Sequence, residues 1–369
     1  MHIIAISTSC DALELRWSDN TTAQYPFIWL RDIDPLGFHP QTKERIFDLT
    51  SVELDIQPQQ VRLTALGVEL QWPAETQSSV FSQQLLLDYR QDCALPDPAQ
   101  IDYQSWQGDF SPPRYPADQM QQPSAMATLL QNLKRYGLVI VTGLEGDSGG
   151  ENFADLIGFK RETNFGVMFE VISKAEPNNL AYTSIALPLH TDLPNQELPP
   201  GYQFLHCITN EAQGGESMLA DGFAITEEMR EQAAPYFNLL SSQSMPFRFH
   251  DNSVDIRFRH KIIGLDEEHQ INSFIFNAHI AAGPDFIAAN GREYYRAYRD
   301  LMNRVRQPKY CLNLKLQAGE MMIFDNRRVL HGRKAFDPTS GKRHLRGYYV
   351  DRSEVDSRMR IIARDNELN

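Results

Sequence analysis

Between residues 12 and 17 the chain reads ALELRW, apolar and polar positions alternating with the period of a half-buried strand, and SDNT at 18–21 supplies turn-forming side chains. YPFIWL (25–30), VELDI (52–56), VRLTAL (61–66) and VELQW (68–72) broadly repeat that pattern. Short alternating segments at close spacing predict a small β domain over residues 1–95, a meander or small barrel closed by a helical segment at 82–89 (SQQLLLDY). Residues 96–122 change character: Pro96, Pro98, Pro112, Pro113 and Pro116, with Pro123 just beyond, punctuate a polar stretch carrying Trp106 and Phe110. This predicts an extended linker that packs on the surface through its aromatics. Residues 123–369 are expected to form the second, larger domain. Ala125–Tyr136 sets Leu129, Leu130 and Leu133 on one helical face, Gly137 stands at the expected C-cap, and LVIVT (138–142) reads as a buried strand. Further strands are expected at Tyr202–Ile208, Ser217–Ala220, Ile271–Phe276, Cys311–Leu316, Met321–Phe324 and Leu345–Val350, with helices at Thr226–Phe237 and Arg292–Arg304. No repeated βα unit occurs, so a mainly β core with flanking helices fits better than a Rossmann or TIM arrangement.

Charge and cysteine usage narrow the partners. The 48 acidic and 35 basic side chains leave a net charge of −13, which offers no basic face for nucleic acid and disfavours anionic membrane surfaces. Cys10, Cys93, Cys207 and Cys311 are widely separated, with no CxxC pair, which argues against a zinc knuckle or a disulfide framework and suits a reducing compartment. No basic-then-apolar leader opens the chain, and no apolar run reaches the ~18–20 residues that span a bilayer. The expectation is a cytoplasmic protein without a membrane partner.

Three elements carry candidate chemistry. In PLHTD (188–192), His190 and Asp192 stand two apart, so in extended chain an imidazole and a carboxylate share one face. Alone, the pair is more often a hydrogen-bonded surface turn. The run MMIFDNRRVLHGR (321–333) brings a strand-like segment to His331, which alone reads as a structural histidine. Together, two imidazoles and one carboxylate leave coordination positions open, the ligand set of non-heme Fe(II) oxygenases, although ligand type favours iron over zinc only softly. Arg343, twelve residues past His331, offers a planar fork suited to bidentate capture of a carboxylate, or else is one exposed arginine in a basic stretch. Gly149–Gly150 and Gly214–Gly215 lack the context of a phosphate loop, and Ser184 and Ser217 lack that of a nucleophile elbow.

HTD, FLHC, GGESMLADGF, NRRVLHGR and RHLRGYYVD in this order closely resemble the 2-oxoglutarate-dependent dioxygenases of the taurine dioxygenase superfamily. With FIWLRD in the first domain, the chain looks like the γ-butyrobetaine and trimethyllysine hydroxylase branch, over nearly its whole length. The resemblance implies a double-stranded β-helix, or jelly-roll, for the second domain and a homodimer. It implies Fe(II) on His190, Asp192 and His331, 2-oxoglutarate with its distal carboxylate on Arg343, and O2 as second co-substrate. The reaction implied hydroxylates an unactivated C–H of a small cationic or zwitterionic, betaine-like substrate and releases succinate and CO2. Phe165, Phe169, Tyr182 and Tyr349 match the aromatic cage for a trimethylammonium group, a cation–π device, while Asn179 and Asn277 resemble the amides that bind the substrate's acidic group.

The chain departs from that branch in three places. IDPLGFHP (33–40) has no cysteine and only His39 as a borderline ligand where the branch often carries closely spaced zinc cysteines, so no zinc is expected. Phe165 and Phe169 stand where the branch tends to place tyrosine and tryptophan, and core packing is their ordinary alternative. His279, two residues past Asn277, warns against copying the substrate wholesale. The same chemistry on another amino acid, an amino-phosphonate or a sulfonate stays open, as do a zinc hydrolase on the same ligands and a non-catalytic jelly-roll binding protein.

Overall fold

Alternation in ALELRW builds a strand whose inward row, Leu13, Leu15 and Trp17, is buried. The computed structural model describes residues 1–90, 97–172, 183–284 and 291–367, and the chain divides into two compact units, Met1–Asp97 and Pro98–Asn369. In the first unit β1 (Ile3–Thr8), β2 (Ala12–Trp17) and β3 (Thr22–Pro26) form one antiparallel sheet. A second sheet joins β4 (Gln60–Thr64), β5 (Gly67–Gln71) and β6 (Ser79–Ser82), with helix α2 (Gln83–Asp88) after it. The turn before β3 uses its sequence as expected: Asn20 takes a φ of +65° and the Asp19 side chain accepts the Thr21 N–H.

Two strand expectations fail here. YPFIWL is not one strand, because β3 stops at Pro26 and Phe27–Asp32 is helix α1. Phe27 and Leu30, three apart, then bury on one helical face. VELDI forms no strand either; it follows a short 3-10 turn at Leu49–Ser51, and Leu54 is 79% exposed. Alternation says which residues would share a face, but a strand needs a neighbour to satisfy its ladder, and this segment has none. The adjoining loop is tied down by Asp34, a fully buried carboxylate that accepts from Arg31, Ser79, the Leu36 N–H and Trp72 Nε1 (2.7 Å). A buried carboxylate satisfied four times over acts as a structural tie.

In the second unit β7 (Arg114–Pro116) lies beside β8 (Leu138–Thr142) as a parallel pair. Trp106 is buried, stacks on Phe110 at 5.0 Å and donates from Nε1 to the Tyr136 carbonyl (2.7 Å), a deeper seat than surface packing. Helix α3 (Pro123–Tyr136) opens with proline and ends on Gly137, whose φ of +69° and N–H to the Leu133 carbonyl close it as its sequence predicts. The expected helix Thr226–Phe237 is instead two, α5 (Gly222–Gln232) and α6 (Ala234–Ser242). Pro235 cannot continue the first and starts the second. Helices α4 (Gly149–Asp155), α7 (Gly291–Val305) and α8 (Arg352–Glu367) complete the helical part. Among the described residues no helix is long and apolar enough to cross a membrane.

A six-stranded sheet runs β7, β8, β18 (Met321–Asp325), β11 (Tyr202–Asn210), β20 (Arg343–Val350), β9 (Met168–Val171). A four-stranded sheet runs β10 (Leu187–His190), β19 (Val329–Arg333), β12 (Ser217–Asp221), β17 (Leu312–Leu314). From β9 to β12, and again from β17 to β20, successive strands alternate between the two sheets, so the unit is mainly β, with helices around it. Two hairpins, β13 (Ser244–His250) with β14 (Asp255–Lys261) and β15 (Ile263–Leu265) with β16 (Ile271–Phe274), lie outside both.

Candidate active site

His190 ends β10 directly opposite His331 on β19, and the two rings lie 4.3 Å apart between centroids. Gly332 makes that pairing close: a Cβ there would stand 2.5 Å from the Leu187 carbonyl oxygen. Asp192 lies just past the strand, with Oδ1 3.2 Å from His190 Nε2 and Oδ2 3.6 Å from His331 Nε2. Ligand atoms from all three residues fall within 4.8 Å of one another, the sole such cluster of histidine, cysteine and acidic side chains among the described residues.

The surroundings fix each group. His190 Nδ1 lies 2.9 Å from the Pro188 carbonyl, a bond in which Nδ1 donates, and Nε2 is the ring nitrogen turned to Asp192. Buried Asn326 grips the backbone of Asp192 at both ends, accepting its N–H (2.7 Å) and donating to its carbonyl (3.0 Å). Leu193 then turns in the left-handed region at φ +54°. Tyr349 on β20 donates its hydroxyl to Asp192 Oδ2 at 2.6 Å. Burial alone would raise the Asp192 pKa, but His331, His190 and the Tyr349 hydroxyl together hold the carboxyl well below the usual range. Burial pushes the His331 imidazole down to about 3. At neutral pH an ionised Asp192 carboxylate therefore stands beside a neutral His331 imidazole, donors fit for a divalent cation.

His190, Asp192, His331 and Tyr349 line a cavity of about 310 Å³, and so do Phe165, Phe169, Asn277 and Arg343. Asn179 and Tyr182 lie outside the described residues. The Phe169 ring packs against Tyr349 at 5.1 Å, and Phe165 meets Phe249 edge-on at 5.5 Å. Arg343 sits over the Phe336 ring and donates only weakly, from Nη2 to the Gly215 carbonyl (3.5 Å); its buried Nε has no partner. No carboxylate pairs with it among the described residues. Burial and neighbouring Arg333 lower its pKa to about 10, so it remains a cation facing the cavity. Arg333 by contrast is engaged by the Thr183 (2.6 Å) and Ile185 (3.0 Å) carbonyls. Asn277 spends both ends of its amide on the protein, donating to the Thr191 carbonyl (3.2 Å) and accepting the His279 N–H (3.0 Å), and His279 also lines the cavity.

Several residues here escape sequence reasoning. Phe249 comes from the β13–β14 hairpin, absent from the expected strands although Met245, Phe247 and Phe249 alternate with polar residues and proline along SMPFRFH. Asn195 and Gln203 line the cavity with the Asn195 amide and Gln203 Oε1 buried and without hydrogen-bond partners, a demand for a polar ligand or ordered water. In sequence both resemble ordinary polar positions; only burial sets them apart.

Residues 105–349 match the family described as "Taurine catabolism dioxygenase TauD, TfdA family", and residues 4–87 match "Gamma-butyrobetaine hydroxylase-like, N-terminal". The chain is 36% identical to a gamma-butyrobetaine dioxygenase of Pseudomonas sp. (strain AK-1), covering 98% of this chain and 96% of that protein. It is 29% identical to the Homo sapiens gamma-butyrobetaine dioxygenase (95% and 94% covered) and 29% identical to the mitochondrial trimethyllysine dioxygenase of Gallus gallus (98% and 90%). Among solved structures, a taurine dioxygenase from Burkholderia xenovorans superposes with a TM-score of 0.51 at 16% identity, over 68% of this chain and 90% of that one, a likeness of fold.

Proposed function

We propose, from the premise that this chain belongs to the TauD/TfdA dioxygenase family, that it is an Fe(II)- and 2-oxoglutarate-dependent hydroxylase of a small trimethylammonium compound of the γ-butyrobetaine type. The carrying observation is one cavity lined at once by a His–Asp–His cluster, an arginine lacking a carboxylate partner, and aromatic faces. His190, Asp192 and His331 would hold the iron, and Arg343 the distal carboxylate of 2-oxoglutarate. Bound iron and keto acid supply the oxidising chemistry, coupling O2-dependent decarboxylation to succinate with hydroxylation of a substrate C–H. The chain's own residues bind, orient and exclude water. Pro188 and Asn326 fix the ligands, Arg343 sets the angle of the co-substrate, and Phe165, Phe169, Tyr349 and Phe249 present a dry π surface to a cation that can donate no hydrogen bond. Relatives named for γ-butyrobetaine and trimethyllysine support the substrate class.

The same reading takes the alternating four- and six-stranded sheets as the two halves of a double-stranded β-helix in a catalytic domain over residues 123–369, served by the small β domain of residues 1–95. It includes a cytoplasmic homodimer, checked by sedimentation of the purified chain. The decisive experiment reconstitutes the protein with Fe(II) and follows succinate release across γ-butyrobetaine, trimethyllysine, amino-phosphonates and sulfonates. Oxygen-dependent release stimulated by γ-butyrobetaine, and abolished in His190→Ala and Asp192→Ala, is expected. Stimulation by none of these compounds overturns the reading.

A further inference from the structure

β20 turns the side chains of Arg343, Leu345 and Tyr349 to one side, and between the last two that row is interrupted by Gly347. Across the ladder Gly347 pairs with Phe169 of the edge strand β9. A Cβ on Gly347 would stand 2.0 Å from Phe169 Cζ, 2.2 Å from Cε2 and 2.7 Å from Cε1, so the far edge of the ring occupies the space a side chain at 347 would take. Gly347 has no left-handed φ, so its backbone would accept any residue, and what its place requires is space alone. On the opposite face of β9 the next residue, Glu170, is held by Arg346 Nε (2.9 Å) and by His344, which pins the register and keeps Phe169 from sliding off.

We infer that Gly347 is a specificity-determining residue. By leaving its side of the sheet empty it lets Phe169 recede into the wall, and this sets the cavity's width for the bulk of a methylated ammonium head group. The inference rests on the proposed use of the cavity as the substrate site. Any side chain at 347 must lift the ring. Restoring ordinary contact at 3.4 Å from 2.0 Å moves it about 1.4 Å, and the open side is the 310 Å³ cavity. Such a shift also loosens the Phe169–Tyr349 contact and removes room the third methyl group needs.

The test is a cycle of Gly347→Ala, Phe169→Leu and the double variant in the Fe(II)-reconstituted full chain, with γ-butyrobetaine and its dimethylamino analogue as probes. For Gly347→Ala the expected result is a fall of about tenfold or more in the kcat/KM ratio of trimethylated over dimethylated compound, carried by KM, with the KM for 2-oxoglutarate within about twofold. The double variant should show no further change beyond Phe169→Leu, since the shorter side chain no longer meets the new methyl. Thermal unfolding supplies a readout without substrate: Gly347→Ala should lower Tm by roughly 3 °C or more where Phe169 is present and by clearly less where it is leucine. Additive Tm shifts, or an unchanged discrimination ratio, overturn the inference. A wild type silent on γ-butyrobetaine with the Tm coupling intact sinks the substrate reading instead and leaves the contact between 347 and 169 standing.

Discussion

Tyr349→Phe separates two roles that one side chain holds at once. The ring packs on Phe169 at 5.1 Å, and the hydroxyl donates to Asp192 Oδ2 at 2.6 Å. Phenylalanine keeps the ring and deletes the donor. Two consequences oppose each other. Without the donor the carboxylate becomes slightly more basic, which by itself tightens a bound cation. That gain is small, since Tyr349 ranks below both histidines among the groups that hold the Asp192 pKa down. The loss is orientational. Partners that orient a ligating carboxylate are worth roughly 10–100-fold in metal affinity, and a hydrogen bond to a charged group about 1.5–3 kcal/mol, which is the same range. Weaker metal binding by about 10–100-fold is therefore expected, read by titrating the apo-protein with Fe(II) under anaerobic conditions. The KM for γ-butyrobetaine at saturating iron should move less than about threefold, because the π face is retained. Unchanged metal affinity, or a substrate KM that rises more than the metal Kd, refutes the assignment of the hydroxyl to the carboxylate.

Arg343→Lys keeps a charge but loses the fork, so the KM for 2-oxoglutarate should rise by about tenfold or more while metal titration is unchanged; an unaltered KM removes the anchor. His206 is buried on β11, and burial followed by Arg346 lowers its pKa to about 4 from 6.5. The unfolded chain thus binds the extra proton first. This contribution to stability is full above pH 6.5 and is lost as pH falls toward 4, up to about 3 kcal/mol. Denaturant titrations at pH 7, 5.5 and 4.5 should show a shallower loss in His206→Leu than in wild type, and equal slopes contradict the reading. Asp221 and Arg328 form a buried bidentate pair (2.7 and 3.0 Å), and Asp221 also accepts from the N–H groups of Phe223 and Trp106. Asp221→Ala strands the guanidinium and should cost about 3–5 kcal/mol in urea unfolding; a loss below about 1 kcal/mol means water reaches Arg328.

What could be read in the chain follows from what a pattern encodes. LVIVT and its preceding helix were legible because continuous apolar runs and a capping glycine are local, and both occupy their expected places. YPFIWL and VELDI misled because alternation does not say whether a partner strand exists, nor that Pro26 is followed by a helix. In the site, His190, Asp192, His331 and Arg343 stand out as chemically unusual residues in a recognisable order, and all four line one cavity. Asn326, Asn195 and Gln203 do not stand out, since an asparagine clamped on a ligand's backbone and one on an exposed turn read alike. Gly347 is the extreme case. Its part is played by absent atoms, visible only once the Phe169 ring is seen in the space they would take.

On the proposed function, the composition of the cavity also explains why the wall proposed to face the substrate cation is aromatic. A carboxylate would bind an ammonium group more strongly than a phenyl ring does, but in this space it would face an ionised Asp192 and compete with it for a divalent ion, while drawing Arg343 away from the co-substrate proposed for it. A π face attracts the cation without lone pairs that could enter a coordination sphere and without a charge that Arg343 could neutralise. Phenylalanine pays for this with a weaker quadrupole than tryptophan, so contact area must supply the difference. Phe249 adds such area from a hairpin outside both sheets, and Phe169 keeps its full face available only because position 347 has no side chain. Selectivity here should accordingly depend more on shape than on charge. Removing methyl groups from the substrate should then cost more affinity than raising the ionic strength does, since contact area is not screened by salt.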